Sequence, residues 1–261
     1  PRYQKSHLMD ALRSRWRKVL AKIRKALPWV IAGAALVALL GLGVRNGVQM
    51  RSTFVYKDHL KDTAVTIDGE ELTFRDLAFY VVYEEWQVQK SAYAYDQQKP
   101  ANYWNSHVNG HFISVEARDM AMDMAVHDHI LLRMAQSDGV VLSSDERAEL
   151  ESRRTDFFED LYDDQMERLP VSYQTLDTSM ADIAVAEKYR KQLAVSHNDT
   201  YASYGYDGKA YLELKKKHEV KVNKELWSKV PMGRVTLNNE ADYQAAKGKQ
   251  NYFREGTDQK K

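Results

Sequence analysis

Residues 63–85 read TAVTIDGEELTFRDLAFYVVYEE, and this stretch decides the fold. Ala64–Ile67 has the β-branched alternation of a short strand, and Asp68-Gly69 has the composition of a tight turn. Thr73 is placed to cap a helix, with Asp76 three residues on at the reciprocal position of a capping box. The helix expected over 74–95 is apolar around much of its surface, through Leu77, Phe79, Tyr80, Val81, Val82, Tyr83, Trp86 and Val88. Such a helix must be covered on more than one side. Far downstream, HEVKV at 218–222 alternates like a second strand. Its only local partner would be GRVTLN at 233–238, a third strand candidate. We therefore expect the early and late strands to pair and to close everything between them into one unit.

What lies between is helical in pattern. Lys99-Pro100 to Gly110 reads as a loop carrying Tyr103 and Trp104. A helix is expected over 115–137, with Ser114 as its cap and Gly139 just past its end. Ser143 and Glu146 form a capping box for a helix over 144–169, which Pro170 ends. A further helix is expected over 175–195. Residues 196–208 are turn-rich, and a short helix over 209–217 leads into the late strand. The segment 239–261 is polar and is expected to be disordered.

The N-terminal part has a different character. Leu27–Val44 (LPWVIAGAALVALLGLGV) carries no charge. At 1.5 Å per residue it makes a helix of roughly 27 Å, against a bilayer core of about 30 Å. The run ends in Gly43, Val44, Arg45 and Asn46 without a small-x-small cleavage pattern, which favours a retained anchor over a signal peptide. Residues 1–26 carry nine Lys and Arg against one Asp, a net +8. By the positive-inside rule this end is cytoplasmic, and the chain beyond Val44 lies on the other side. Leu8, Leu12, Trp16, Leu20 and Ile23 share one face, so the segment either lies on anionic lipid or is a solvated basic helix. Residues 45–62 read as a polar neck. The net charge of the whole chain is only +1, so the part beyond residue 26 is acidic, which argues against a nucleic-acid partner.

The pattern resembles a known family. VTIDGEELTFRDLAFYVVYEE resembles the opening of the SurA/PrsA-type chaperones. ARDMAMDMAVHDHILLRMAQSDGVVLSSDERAEL resembles their central hairpin of helices, and YLELKKKHEVKVNKELW their closing helix and strand. The expected fold is thus mostly α: one N-terminal transmembrane helix plus an extracytoplasmic SurA-N-like helical domain over 63–238, closed by a small sheet. Many relatives insert a parvulin-type prolyl isomerase domain before the closing strand. Here only residues 196–208 occupy that place, too few for one. The resemblance implies a membrane-anchored chaperone of the bacterial envelope that binds unfolded or exported polypeptides without ATP and without isomerase activity. The alternative is a dedicated assembly subunit that grips one envelope protein.

Catalytic and cofactor motifs are not evident. With no cysteine, thiol chemistry is excluded. His107 and His111 flank Asn109-Gly110, which breaks a helix. His127 and His129 are about 200° apart on one. No metal site, cofactor or catalytic residue is expected. Glu84-Glu85 and Asp163-Asp164 read as solvated helix surface, and Asn198-Asp199-Thr200 is a sequon of a kind common by chance. Tyr80, Trp86, Met124 and Phe158 are expected in the core. Tyr93, Tyr95, Tyr103, Trp104, Met120 and Met166 are the candidate client- or partner-binding residues, because adaptable Met and aromatic surfaces tolerate many sequences. For the four aromatics among them, which sit at a helix end and in a loop, a core role is equally open.

Overall fold

The computed structural model describes residues 54–108 and 110–239. The expected cytoplasmic segment, the run Leu27–Val44 and the tail from residue 240 lie outside the described residues. Among the described residues, no helix is long and apolar enough to cross a membrane.

The N-terminal hairpin forms as expected and goes further. β1 (Thr63–Ile67) turns at Asp68 and Gly69, which have φ of +51° and +87°, into β2 (Glu70–Thr73). β2 was not among the expected strands. Thr73 and Asp76 do meet, but Thr73 donates both its N–H and its hydroxyl to the Asp76 carboxylate, each at 2.7 Å. Regular helix starts only at α1 (Ala78–Tyr95). The late strand β5 (Val220–Val222) pairs antiparallel with β1, Val65 opposite Val222, giving the sheet order β2-β1-β5. The expected closure of the two ends is therefore present. The supposed neck is folded from Phe54 onward: Tyr56 is buried and donates its hydroxyl to the Phe74 carbonyl at 2.7 Å.

After α1, the expected loop contains the short α2 (Ala101–Trp104) and a two-strand hairpin, β3 (His107–Val108) with β4 (His111–Phe112). α3 (Ile113–Ser137) begins without a side-chain cap, so Ser114 does not play that part. Its end is a Schellman turn: Gly139 sits at φ +68° and Val140 N–H reaches back to the Ala135 carbonyl at 2.9 Å. α4 (Ser144–Asp160) carries the expected capping box of Ser143 and Glu146. The single helix expected over 144–169 is broken, because Leu161 and Tyr162 are extended and α5 (Asp163–Arg168) starts afresh. No Gly or Pro marks this break. The Trp86 indole caps the end of α4 by donating to the Asp160 carbonyl at 2.8 Å, and Leu161 turns into the core. α6 (Tyr173–Ser196) is capped by Ser172 and packs along α3. α7 (Lys209–Lys215), β5 and α8 (Lys224–Trp227) complete the order.

GRVTLN is not a strand. Residues 231–239 run as an irregular strap across α1, curled around Glu85, which is 0% exposed. Its carboxylate accepts the N–H groups of Gly233 at 2.6 Å, Val235 at 3.0 Å and Thr236 at 2.7 Å, and the Thr236 hydroxyl at 2.5 Å. Glu85 is thus a core residue and not the solvated carboxylate its neighbourhood suggests. Gly233 has φ +86° and lies on the Trp104 ring, where a Cβ would come within 2.6 Å of the indole. On α6's neighbour α5, Asp164 belongs to the same fastening, accepting the Asn238 N–H at 2.7 Å.

Glu84, one position from this clamp, is only half-buried, and burial pushes its carboxyl up to about 7. A carboxyl raised in the folded state favours folding more as pH falls from that value toward its ordinary range. Ionised Glu84 therefore opposes folding at pH 8. We expect Glu84→Gln to stabilise the domain there by about 1–2 kcal/mol, after allowance for its partial exposure, and to change little near pH 5. Thermal melts of the two proteins at both pH values check this.

Candidate functional site

The helix spacing that builds the core also builds a polar cleft. On α3, Ala125, Asp128, His129, Leu132 and Arg133 recur every three or four residues and share a face. On α6, Thr175, Thr178, Ser179 and Asp182 do the same. These stripes face each other across an opening of about 520 Å³, floored by Leu77 and Tyr80 and edged by Glu70 and Leu72 of β2. That volume lies within the range of about 300–1,000 Å³ usual for ligand sites.

Charges in the cleft are unequally paired. The Arg133 guanidinium grips both carboxylate oxygens of Glu70, through Nε at 2.7 Å and through Nη2, and its Nη1 donates to Gln136 at 2.7 Å. Nε2 of His129 lies 3.3 Å from Glu70 Oε2. Burial holds the His129 ring below the ordinary imidazole range, against the opposing pull of Asp76, Asp182 and Asp68. The ring is therefore neutral at neutral pH. Burial also raises the Asp182 carboxyl, against Arg133 and His129. Burial and the Asp128 and Asp182 charges push the Tyr80 hydroxyl well above the ordinary tyrosine range. His127 faces the other way, with Nε2 donating to the Tyr204 carbonyl at 2.8 Å and Nδ1 2.7 Å from Asp128.

This arrangement lacks the geometry of a nucleophile and its base. The Ser179 hydroxyl donates to the Thr175 carbonyl and the Thr178 hydroxyl to that of Gln174. The Ser172 hydroxyl is spent on the cap of α6. Among the described residues, none of these hydroxyls is hydrogen-bonded to His129, and no group of residues is placed to hold a metal ion. What the cleft offers is a set of acceptors: a binding surface for a donor-rich group.

The six residues singled out from the sequence do not line the cleft between α3 and α6. Tyr95 is 68% exposed and packs against Tyr103, ring centroids 5.5 Å apart. Tyr93 packs against Tyr162 at 5.2 Å. Met166 is half-buried beside the Tyr173 hydroxyl, and Met120 is half-buried on α3. Trp104 is a correction: at 3% exposure, with its indole donating to Gln89 at 2.7 Å and the strap laid over it, it is a core residue. The cleft residues Glu70, Tyr80, Asp128, His129, Arg133 and Asp182 were not singled out as a site. Their signal was a polar stripe on α3 and α6, helices that otherwise bury their faces; read pairwise, His127 and His129 revealed only that they cannot share a metal.

Comparison of the chain with protein-family models, with curated proteins and with solved structures finds no match.

Proposed function

We propose that the folded unit is a non-covalent polypeptide-binding domain, tethered by Leu27–Val44 on the outer side of a bacterial membrane, that grips one partner protein of the envelope. The observation that carries this reading is the cleft between α3 and α6, with paired and unpaired acceptors in fixed positions and no nucleophile–base pair. A site of fixed polar groups selects a particular guest, whereas a promiscuous chaperone surface needs a broad apolar groove. The exposed apolar side chains Val55, Val141 and Val195 lie on separate segments, and the opening that Leu212 shares with Val220 is rimmed by Lys209, Glu213, Lys215 and Lys216. The resemblance to SurA/PrsA-type chaperones gives the polypeptide as the class of guest, and the β1–β5 closure agrees with it.

The chaperone reading, in which many unfolded or exported chains are bound, is favoured by one feature. Tyr95 with Tyr103, and Val108 and Phe112 on the adjoining hairpin, expose apolar surface. Photo-crosslinking in whole cells from Thr178 at the cleft rim and from Tyr95 separates the two. One recurrent adduct from both positions is the expected result. Many different adducts from Tyr95 would establish the chaperone reading instead, and no polypeptide adduct from either position would overturn both. Protease added outside intact cells is expected to cut within the domain; sparing it would overturn the outward orientation.

A further inference from the structure

On the polypeptide-binding reading above, we infer that the cleft between α3 and α6 is a receptacle for an arginine side chain of the partner. The cleft is more than a group of acidic residues. Among the described residues that line it, the one Lys or Arg is Arg133, and this is already committed to Glu70 and Gln136. The His129 side chain is nine-tenths buried, lines the cleft, and makes no hydrogen bond among the described residues; its nitrogen stands 3.3 Å from a Glu70 oxygen that Arg133 already occupies. Asp182, opposite on α6, has neither an ion pair nor a hydrogen-bond partner among the described residues, yet it lies close enough to act electrostatically on Tyr80 and His129. A neutral imidazole and a carboxylate left open together call for a guest rich in N–H donors.

The alternatives fit less well. An anion entering here would face Asp128, Asp182 and Asp76 at once. An apolar side chain would strip water from the exposed Asp182 carboxylate and leave it without a partner, the costly outcome for a charged group taken out of water. An ammonium supplies three donors on a point charge. A guanidinium supplies five in a planar fork, which can engage a carboxylate through two parallel bonds while another N–H meets the imidazole. Arginine is therefore preferred to lysine, and both to neutral residues.

The test uses the full chain in detergent and a fluorescent glycine–serine peptide with one central arginine, together with its lysine, citrulline and glutamate counterparts. Citrulline keeps the shape of arginine and removes the charge. The arginine peptide is expected to bind best, lysine less well, citrulline roughly tenfold more weakly, and glutamate not at all. Asp182→Asn is expected to weaken the arginine peptide roughly tenfold and to leave the citrulline peptide unchanged. Glu225→Gln, a change at an exposed carboxylate on α8, is expected to change neither. A shift of the His129 ring signals on adding the arginine peptide places the guest in this cleft. Equal binding of arginine and citrulline, or indifference to Asp182→Asn, overturns the inference. If crosslinks from Tyr95 to a partner persist in that case, polypeptide binding stands without the arginine receptacle; if the crosslinks are absent as well, both fall.

Discussion

Replacing Glu85 by alanine is expected to destabilise the domain by about 4 kcal/mol, a drop in Tm on the order of 10 °C. The carboxylate is fully buried and accepts three backbone N–H groups and one hydroxyl from the strap. Each donor left unpaired in the interior costs about 1–3 kcal/mol, and the sum is reduced because a loosened strap can turn some of them to water. Glu85→Gln is expected to cost about half as much, since the amide keeps the shape and one acceptor but sets an NH₂ group against N–H donors. The folded carboxyl is itself raised by burial, with the strap's hydrogen bonds opposing. Protonating it on acidification therefore does not mimic alanine: the neutral acid still offers acceptors to the strap. Urea unfolding gives the stabilities, and amide hydrogen exchange at Gly233, Val235 and Thr236 reports the strap directly. A Glu85→Ala protein as stable as the parent, with those amides still protected, would falsify the view that this carboxylate fastens the strap.

Local sequence rules found the elements whose causes are local. The Ser143–Glu146 box and the Gly139 turn are each set by residues within a few positions of one another, whereas the Ser172 cap, equally local, starts its helix two residues before the expected 175. β1 and its turn are likewise local, and the β1–β5 pairing was expected because the late strand had no local partner but GRVTLN and Ala64–Ile67 was the other clear strand. The break at Leu161 and Tyr162 was not legible, because its cause is the Trp86 indole, 74 positions away, bonding the last carbonyl of α4. The strap misled for the same reason. Its alternation suits a strand, but Glu85, 148 positions earlier, draws three of its N–H groups to one point, which no straight strand can do. Glu84 and Glu85 look alike in sequence and differ only in which face of α1 the strap covers. The cleft was half legible. Its residues recur at helical spacing, but the value of Asp182 and His129 as acceptors depends on Arg133 being taken up by Glu70, and that pairing crosses from α3 to the hairpin.

The second large effect is expected at Trp227, where the closing segment meets the opening one. Its ring is buried against Phe74, with centroids 5.7 Å apart, and its indole donates to the Arg118 carbonyl at 3.3 Å. The helix that carries it is set by Asn223, whose side chain caps Leu226 N–H at 3.3 Å and donates to the Thr63 carbonyl at 3.0 Å. Trp227→Ala is expected to cost about 4 kcal/mol, from lost burial and the cavity left behind. Phe74→Ala is expected to cost about as much, and the double variant about 1 kcal/mol less than the sum, because the two rings lose one contact and not two. Trp227→Phe, expected to cost about 1–2 kcal/mol, keeps the comparison measurable if the alanine protein does not fold. The kinetics distinguish closure from a contact that forms early. The Asn223–Thr63 bond joins residues 160 positions apart, so the chain must close a long loop before this corner can form. Trp227→Phe is therefore expected to speed unfolding and to leave the folding rate almost unchanged. A variant that instead slowed folding in proportion to its loss of stability would place the meeting of the two ends in the folding nucleus, and the helices between them would then condense onto a sheet already formed.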